Sequence, residues 1–200
     1  MKIIAKICGL KTRESIITAQ ENGADFLGFV FYPPSPRHLT PQQAAELAHF
    51  ATAKKVAVTV DANDALLAEI VESLQPDYIQ LHGEETTKRA QQIKQQYGLG
   101  LIRSIEPNIY PEDSGLYDYL LVDAPKAELP GGNGRKFDWK NFTPPTHNWF
   151  LSGGLNAENI AEALKITQAK MVDISSGVEK ERGIKDDKLI AEFLQKLREL

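Results

Sequence analysis

The chain has 200 residues, long enough for one domain with a sizeable core, and its 42% hydrophobic and 25% charged content is that of an ordinary globular protein. A net charge of −4 gives no basic field for nucleic acid, and no run approaches the about 18 apolar residues that a membrane helix needs. A single cysteine excludes an intrachain disulfide and fits a reducing compartment; Lys6 interrupts the first apolar run, so no secretory h-region is present and a cytoplasmic setting is expected.

Strand one is read over residues 2–8, ending in Lys6-Ile7-Cys8-Gly9-Leu10. Helix one follows over Arg13–Asn22, with Thr12 as its cap and Gly23 closing it. Strand two is Asp25–Phe31. The proline-rich loop Tyr32–His38 cannot be helical and is too long for a simple connector. Thr40-Pro41 opens helix two, which is expected to reach Ala53. Strand three is Lys55–Val60, and Asn63 caps helix three over Asp64–Leu74, whose leucines and isoleucine share one face. Strand four, Tyr78–His82, stops at Gly83; helix four runs from about Thr86 to Tyr97.

Strand five is Gly100–Ile105. Where a helix is due, Pro107 and Pro111 interrupt a short polar stretch, so helix five is reduced or absent. Strand six is Tyr119–Ala124. Residues 125–146, with Gly131-Gly132-Asn133-Gly134, read as a mobile loop and a short, atypical sixth helix. Strand seven is Asn148–Ser152, followed by Gly153-Gly154 and a helix capped by Asn156 that runs to Thr167. Strand eight is Lys170–Ser175, an extra turn is placed at Val178–Arg182, and the last helix spans Asp187–Arg198.

Eight apolar strands alternate with amphipathic segments in one pass, and the strands are near-continuous Val/Ile/Leu runs, as expected when both sheet faces are buried. The fold class is α/β, a compact (β/α)8 TIM barrel in one domain over residues 1–200; an open doubly wound sheet is the alternative.

In such a barrel the active site lies at the C-terminal ends of the strands. Cys8, His82, Arg103, Asp123 and Asp173 fall at or near those ends, and Arg37 lies in a loop on the same face. Each has a structural alternative: a lone cysteine is commonly a small buried hydrophobe, and a strand-end Asp or Arg is often a cap or surface ion pair. Their convergence on one rim argues for chemistry. The Gly/Ser-rich turns after strands seven and eight, Gly153-Gly154 and Ser176-Gly177, stand where barrels bind phosphate; ordinary tight turns are the alternative. No P-loop, dinucleotide fingerprint, nucleophile elbow or zinc-ligand spacing is present.

Taken together and in order, Lys6-Ile7-Cys8-Gly9-Leu10, Ser35-Pro36-Arg37, Gln80-Leu81-His82-Gly83, Leu121-Val122-Asp123, Gly131-Gly132-Asn133-Gly134 with Phe137-Asp138-Trp139, Leu151-Ser152-Gly153-Gly154-Leu155 and Val172–Glu179 resemble the phosphoribosylanthranilate isomerase family of tryptophan biosynthesis. The resemblance implies an Amadori rearrangement of N-(5-phosphoribosyl)anthranilate to 1-(2-carboxyphenylamino)-1-deoxyribulose 5-phosphate, with no metal or organic cofactor. It assigns Asp123 as general acid and Cys8 as general base. Free carboxyl and thiol groups titrate near about 4 and about 8.5, so both need environmental tuning.

Arg37 is the candidate for the substrate carboxylate, because a guanidinium matches a carboxylate bidentately. His82 and Asp173 orient substrate or neighbouring groups, or are structural. Gly153, Gly154, Ser176 and Gly177 are the phosphate candidates, and Gly132, Asn133 and Gly134 form a lid. The family usually has Thr and then Lys in that loop, where this chain has Asn133 and Arg135, a difference bearing on substrate affinity rather than reaction type. The partner expected is a small phosphosugar, with no nucleic acid and no membrane; no helix offers a second apolar stripe to name a protein partner. Another sugar-phosphate barrel enzyme and a non-catalytic phosphate-binding module are the competing readings. The Cys8 and Asp123 pair on separate strand tips speaks against both.

Overall fold

In a computed structural model that describes residues 2–124 and 137–200, eight parallel strands close into a barrel. The order is β1 (Ile4–Cys8), α1 (Arg13–Glu21), β2 (Phe26–Phe31), α2 (Pro41–Ala48), β3 (Lys54–Thr59), α3 (Asp64–Leu74), β4 (Tyr78–Leu81), α4 (Thr87–Tyr97), β5 (Gly100–Ile105), β6 (Tyr119–Val122), β7 (Trp149–Leu151), α5 (Ile160–Thr167), β8 (Met171–Ile174) and α6 (Asp187–Arg198). Each strand pairs with the next, and β8 returns to β1. The expected (β/α)8 barrel is therefore the architecture, and the open sheet is excluded.

The helices start where side chains can satisfy their orphan N–H groups. Thr12, Thr40, Asn63 and Thr86 each accept a bond from the backbone three residues on, and Thr40 with Gln43 forms a reciprocal capping box. Each such cap contributes on the order of 1 kcal/mol. After β5 the helical layer is reduced to one 3-10 turn, Ser114–Leu116, and a second turn, Trp139–Asn141, precedes β7.

Strand alternation divides the core in two. Outward residues such as Ile7, Leu27, Phe29, Ala57, Leu151, Val172 and Ile174 pack under the helices. Inward residues Cys8, Phe26, Val30, Val56, Val58, Ile102, Leu121, Phe150 and Met171 fill the barrel. Phe26, Tyr78 and Tyr119 open their strands, and the Phe26 ring lies 5.5, 5.8 and 5.3 Å from the rings of Tyr78, Tyr119 and Phe150. This tilted and edge-on aromatic cluster plugs the N-terminal end.

Three expectations need correction. Helix α2 stops at Ala48 rather than near Ala53, because Gln20 bonds the Phe50 carbonyl at 2.9 Å and receives the Thr52 N–H at 2.9 Å. That tertiary clamp removes residues 50–52 from the helix. Asn156 caps only a preliminary turn, accepting from the N–H groups of Glu158 and Asn159, and α5 proper starts at Ile160. The extra turn at Val178–Arg182 is instead a 3-10 turn, Ser176–Val178, followed by an antiparallel hairpin of β9 (Glu179–Glu181) and β10 (Ile184–Lys185).

Candidate active site

Cys8 is the last residue of β1 and belongs to the inner cluster that also holds Leu121 of β6. Asp123 lies two positions beyond Leu121, on the same face and past the strand end. Thiol and carboxylate thus belong to one rim. His82, past the end of β4, joins them: its Nε2 stands 3.6 Å from Asp123 Oδ2, and its Nδ1 is 2.9 Å from Gln80 Nε2. Asp123 Oδ1 also accepts its neighbour Ala124 N–H at 2.9 Å.

Beneath Cys8 lies a buried charge pair. Lys6 is 0% exposed, and its Nζ donates to Asp173 Oδ1 at 2.7 Å. Ser152 Oγ lies 3.4 Å from the other oxygen of Asp173. Burial pushes the Cys8 thiol above its ordinary range, and the Lys6 and Lys185 charges pull it partly back. Lys6 itself is held in its charged form: burial disfavours the ammonium, but Asp173 and Cys8 outweigh it and raise its pKa.

The proline-rich loop places Arg37. Ser35 Oγ accepts the Arg37 N–H at 3.2 Å, and Leu39 N–H bonds back to Val30 O at 2.9 Å, folding the loop onto β2. The guanidinium is buried and bidentate on Glu179, with Nε and Nη2 at 2.6 and 2.8 Å from its two oxygens. Gly9 makes room for it: its φ is +82°, and a Cβ there would lie 2.5 Å from Arg37 Cδ. Glu179 also takes Lys185 Nζ at 2.9 Å and Gly183 N–H at 3.0 Å. Lys185 Nζ reaches the Ser175 carbonyl at 2.8 Å, and Ser175 Oγ donates to the Cys8 carbonyl at 3.0 Å. A continuous polar chain therefore links Arg37 to the backbone of Cys8. Burial favours the neutral Glu179 carboxyl, but Arg37 and Lys185 outweigh it and hold the group down to about 2.

The two glycine turns meet. Gly153 and Gly154 have φ of +90° and +61°, and a Cβ on Gly177 would lie 1.8 Å from the Leu155 carbonyl oxygen. The loops after β7 and β8 are thus in direct backbone contact. Asn159 Nδ2 holds the Gly154 carbonyl at 2.8 Å. Arg103 separates from the group: it alternates with the barrel-facing Ile102, and its guanidinium is bound 2.8 Å from Glu85 beneath the outer layer. The lid residues Gly132, Asn133 and Gly134, with Arg135 and the expected mobile loop, lie outside the described residues. Among the described residues, no group of three or more His, Cys, Asp or Glu could hold a metal ion.

Sequence reading missed Lys6, Gln80, Glu179 and Lys185 as parts of the site. Lys6 and Gln80 carried a usable signal, since each precedes a rim residue by two and so shares its inward face. Glu179 and Lys185 carried none, because their hairpin was not anticipated.

A closed (β/α)8 barrel with a thiol, a carboxylate and two interlocked glycine turns at the C-terminal strand ends defines a barrel enzyme for small substrates. The family described as N-(5'-phosphoribosyl)anthranilate (PRA) isomerase matches residues 5–196, and the chain belongs to that family. An N-(5'-phosphoribosyl)anthranilate isomerase of Parvibaculum lavamentivorans is 49% identical over 211 residues, covering 98% of this chain and 98% of its own. The crystal structure of TrpF from Jonesia denitrificans superposes with a TM-score of 0.85 at 33% identity, covering 98% of this chain and 97% of its own. A phosphoribosyl anthranilate isomerase in complex with reduced 1-(o-carboxyphenylamino)-1-deoxyribulose 5-phosphate superposes with a TM-score of 0.79 at 28% identity, covering 99% of this chain and all of its own, 100%.

Proposed function

We infer that the chain is a phosphoribosylanthranilate isomerase acting in tryptophan biosynthesis, with residues 1–200 forming one barrel domain. The observation that carries the assignment of roles is the placement of Cys8 and Asp123 on inward positions of one rim, across a barrel whose floor is closed by aromatic rings.

The chemistry needs two proton transfers. Asp123 protonates the furanose ring oxygen, so that the C1–O bond breaks and the ring opens to an iminium. Cys8 removes the proton from the neighbouring ribose carbon, giving an enolamine that tautomerises to the ketone. No net redox change occurs, and both groups are regenerated by the return of one proton and the loss of the other. Arg37 is the ligand for the anthranilate carboxylate. Glu179 fixes the plane of its guanidinium, whose geometry matches a carboxylate. Ser176 and the glycines 153, 154 and 177 approach the phosphate through backbone N–H groups. His82 and Asp173 orient their neighbours, Asp123 and Lys6. The ligand class is a small phosphosugar. Among the described residues no helix is long and apolar enough to cross a membrane.

The test is fluorimetric. Phosphoribosylanthranilate generated in situ should lose its signal continuously with wild-type protein, whereas a binding module would change it once. Cys8→Ala and Asp123→Asn should each lower turnover by about 10² or more, the size of a general acid–base contribution. Near-normal turnover by either folded variant removes that residue from its role.

A further inference from the structure

The mechanism above leaves a wholly buried lysine unused. Lys6 and Cys8 are two residues apart on β1, so both side chains enter the barrel, Lys6 one pleat deeper. Lys6 is 0% exposed and cannot touch substrate. It is the register partner of Asp173 on β8, and the two side chains meet at 2.7 Å.

Such a pair is a poor way to stabilise a barrel. The surrounding interior is Phe26, Val56, Leu121, Phe150 and Met171, and apolar side chains at both positions would fill the same space without the desolvation penalty of two ions. What an apolar pair would lack is a fixed positive charge directly under Cys8. A thiol acts as a base only through its thiolate, and at 7% exposure Cys8 has little water to stabilise that anion. The acidic partner has its own part. A lysine buried alone would tend to lose its proton, and Asp173 keeps Lys6 charged.

We propose that Lys6, locked by Asp173 at the centre of the barrel, is a positioning residue whose ammonium sustains the thiolate of Cys8. The proposal rests on the reading of Cys8 as the base, but its test does not. Cys8 is the only cysteine, so alkylation by iodoacetamide reports its ionisation directly: the thiolate displaces iodide and forms a thioether. The pH midpoint of alkylation should rise by about one to three units in Lys6→Met, the range expected for loss of a close opposite charge. In Asp173→Asn it should also rise, but by less, because Lys6 without its carboxylate tends to lose its proton in the buried site while a like charge beside the thiol is removed as well. General loosening of the fold would expose the thiol to water and lower its midpoint instead, and far- and near-UV circular dichroism will report it.

Should Lys6→Met fail to fold, the paired variant Lys6→Met/Asp173→Asn leaves no uncompensated charge. Its midpoint should still exceed that of wild type, since the Lys6 charge acts on Cys8 more strongly than Asp173 does. A folded single or paired variant with the wild-type midpoint overturns the proposal. Retained turnover in Cys8→Ala would instead remove the base assignment while leaving the alkylation result standing.

Discussion

Gly28 of β2 is the register partner of Cys8, and a methyl group added at Gly28 would lie 3.0 Å from both the Cα and the Sγ of Cys8. The missing side chain on β2 is the space the thiol occupies. Sheet backbone cannot give way without disturbing the ladder on both sides, so the thiol would move by some tenths of an ångström. Gly28→Ala should therefore lower kcat about tenfold or more, with less effect on KM, since small misplacement of a reacting group is felt mainly in the chemical step. Steady-state kinetics on a variant that melts normally checks this; an unchanged kcat would show that Cys8 tolerates displacement.

Glu179 organises Arg37, and its ionisation supplies a defined pH signature. Its carboxyl is held down to about 2 in the fold, against 4.5 unperturbed. A depressed carboxyl contributes stability that is complete above the unfolded value and is lost as pH falls toward the folded one. Denaturant unfolding should therefore show stability falling between about pH 4.5 and about pH 2, and Glu179→Gln should flatten that part of the profile. The same variant weakens the bidentate hold on the Arg37 guanidinium. Affinity for a carboxylated product analogue should drop about tenfold, the scale of one lost charge-assisted bond, while a decarboxylated analogue binds as before.

The barrel strands were readable because each is a short, mainly apolar run closed by Gly, Pro or a polar turn, as in Phe26–Phe31 and Tyr119–Val122. The caps at Thr12, Thr40 and Asn63 were readable for the same local reason. Cys8 and Asp123 stood out as polar groups at strand tips. What could not be read were contacts closed by the barrel itself. Lys6 meets Asp173 across 167 positions, and Arg37 meets Glu179 across 142. Local pattern carries no information at such separations. Gln20, reaching from α1 to residues 50–52, ended α2 early by the same kind of contact.

Gln80 is retained at a cost. It is 1% exposed, and its Oε1 has no hydrogen-bond partner among the described residues, a vacancy that costs about 1–3 kcal/mol. Its Nε2 is spent on His82 Nδ1. With the amide donating there, the neutral imidazole carries its proton on Nε2, facing Asp123. Gln80→Leu should leave the melting temperature unchanged or higher while lowering kcat about tenfold, the worth of one hydrogen bond. Loss of stability with unchanged kcat would make Gln80 a packing residue only.

Phosphate binding is tested most sharply at Gly177. A Cβ there would overlap the Leu155 carbonyl oxygen at 1.8 Å, so Gly177→Ala must push the loop after β8 away from the loop after β7. The thiol and the carboxylate belong to β1 and the end of β6, and neither strand carries the displaced turn. The substitution should therefore raise KM for phosphoribosylanthranilate about tenfold or more and change kcat much less, the pattern of binding lost equally from ground and transition states. Inhibition by the phosphorylated product should weaken in step, whereas a dephosphorylated analogue, which makes no contact with those loops, should inhibit wild type and variant alike. Equal weakening of both would mean that the interlocked turns shape the barrel mouth as a whole and that phosphate is held elsewhere.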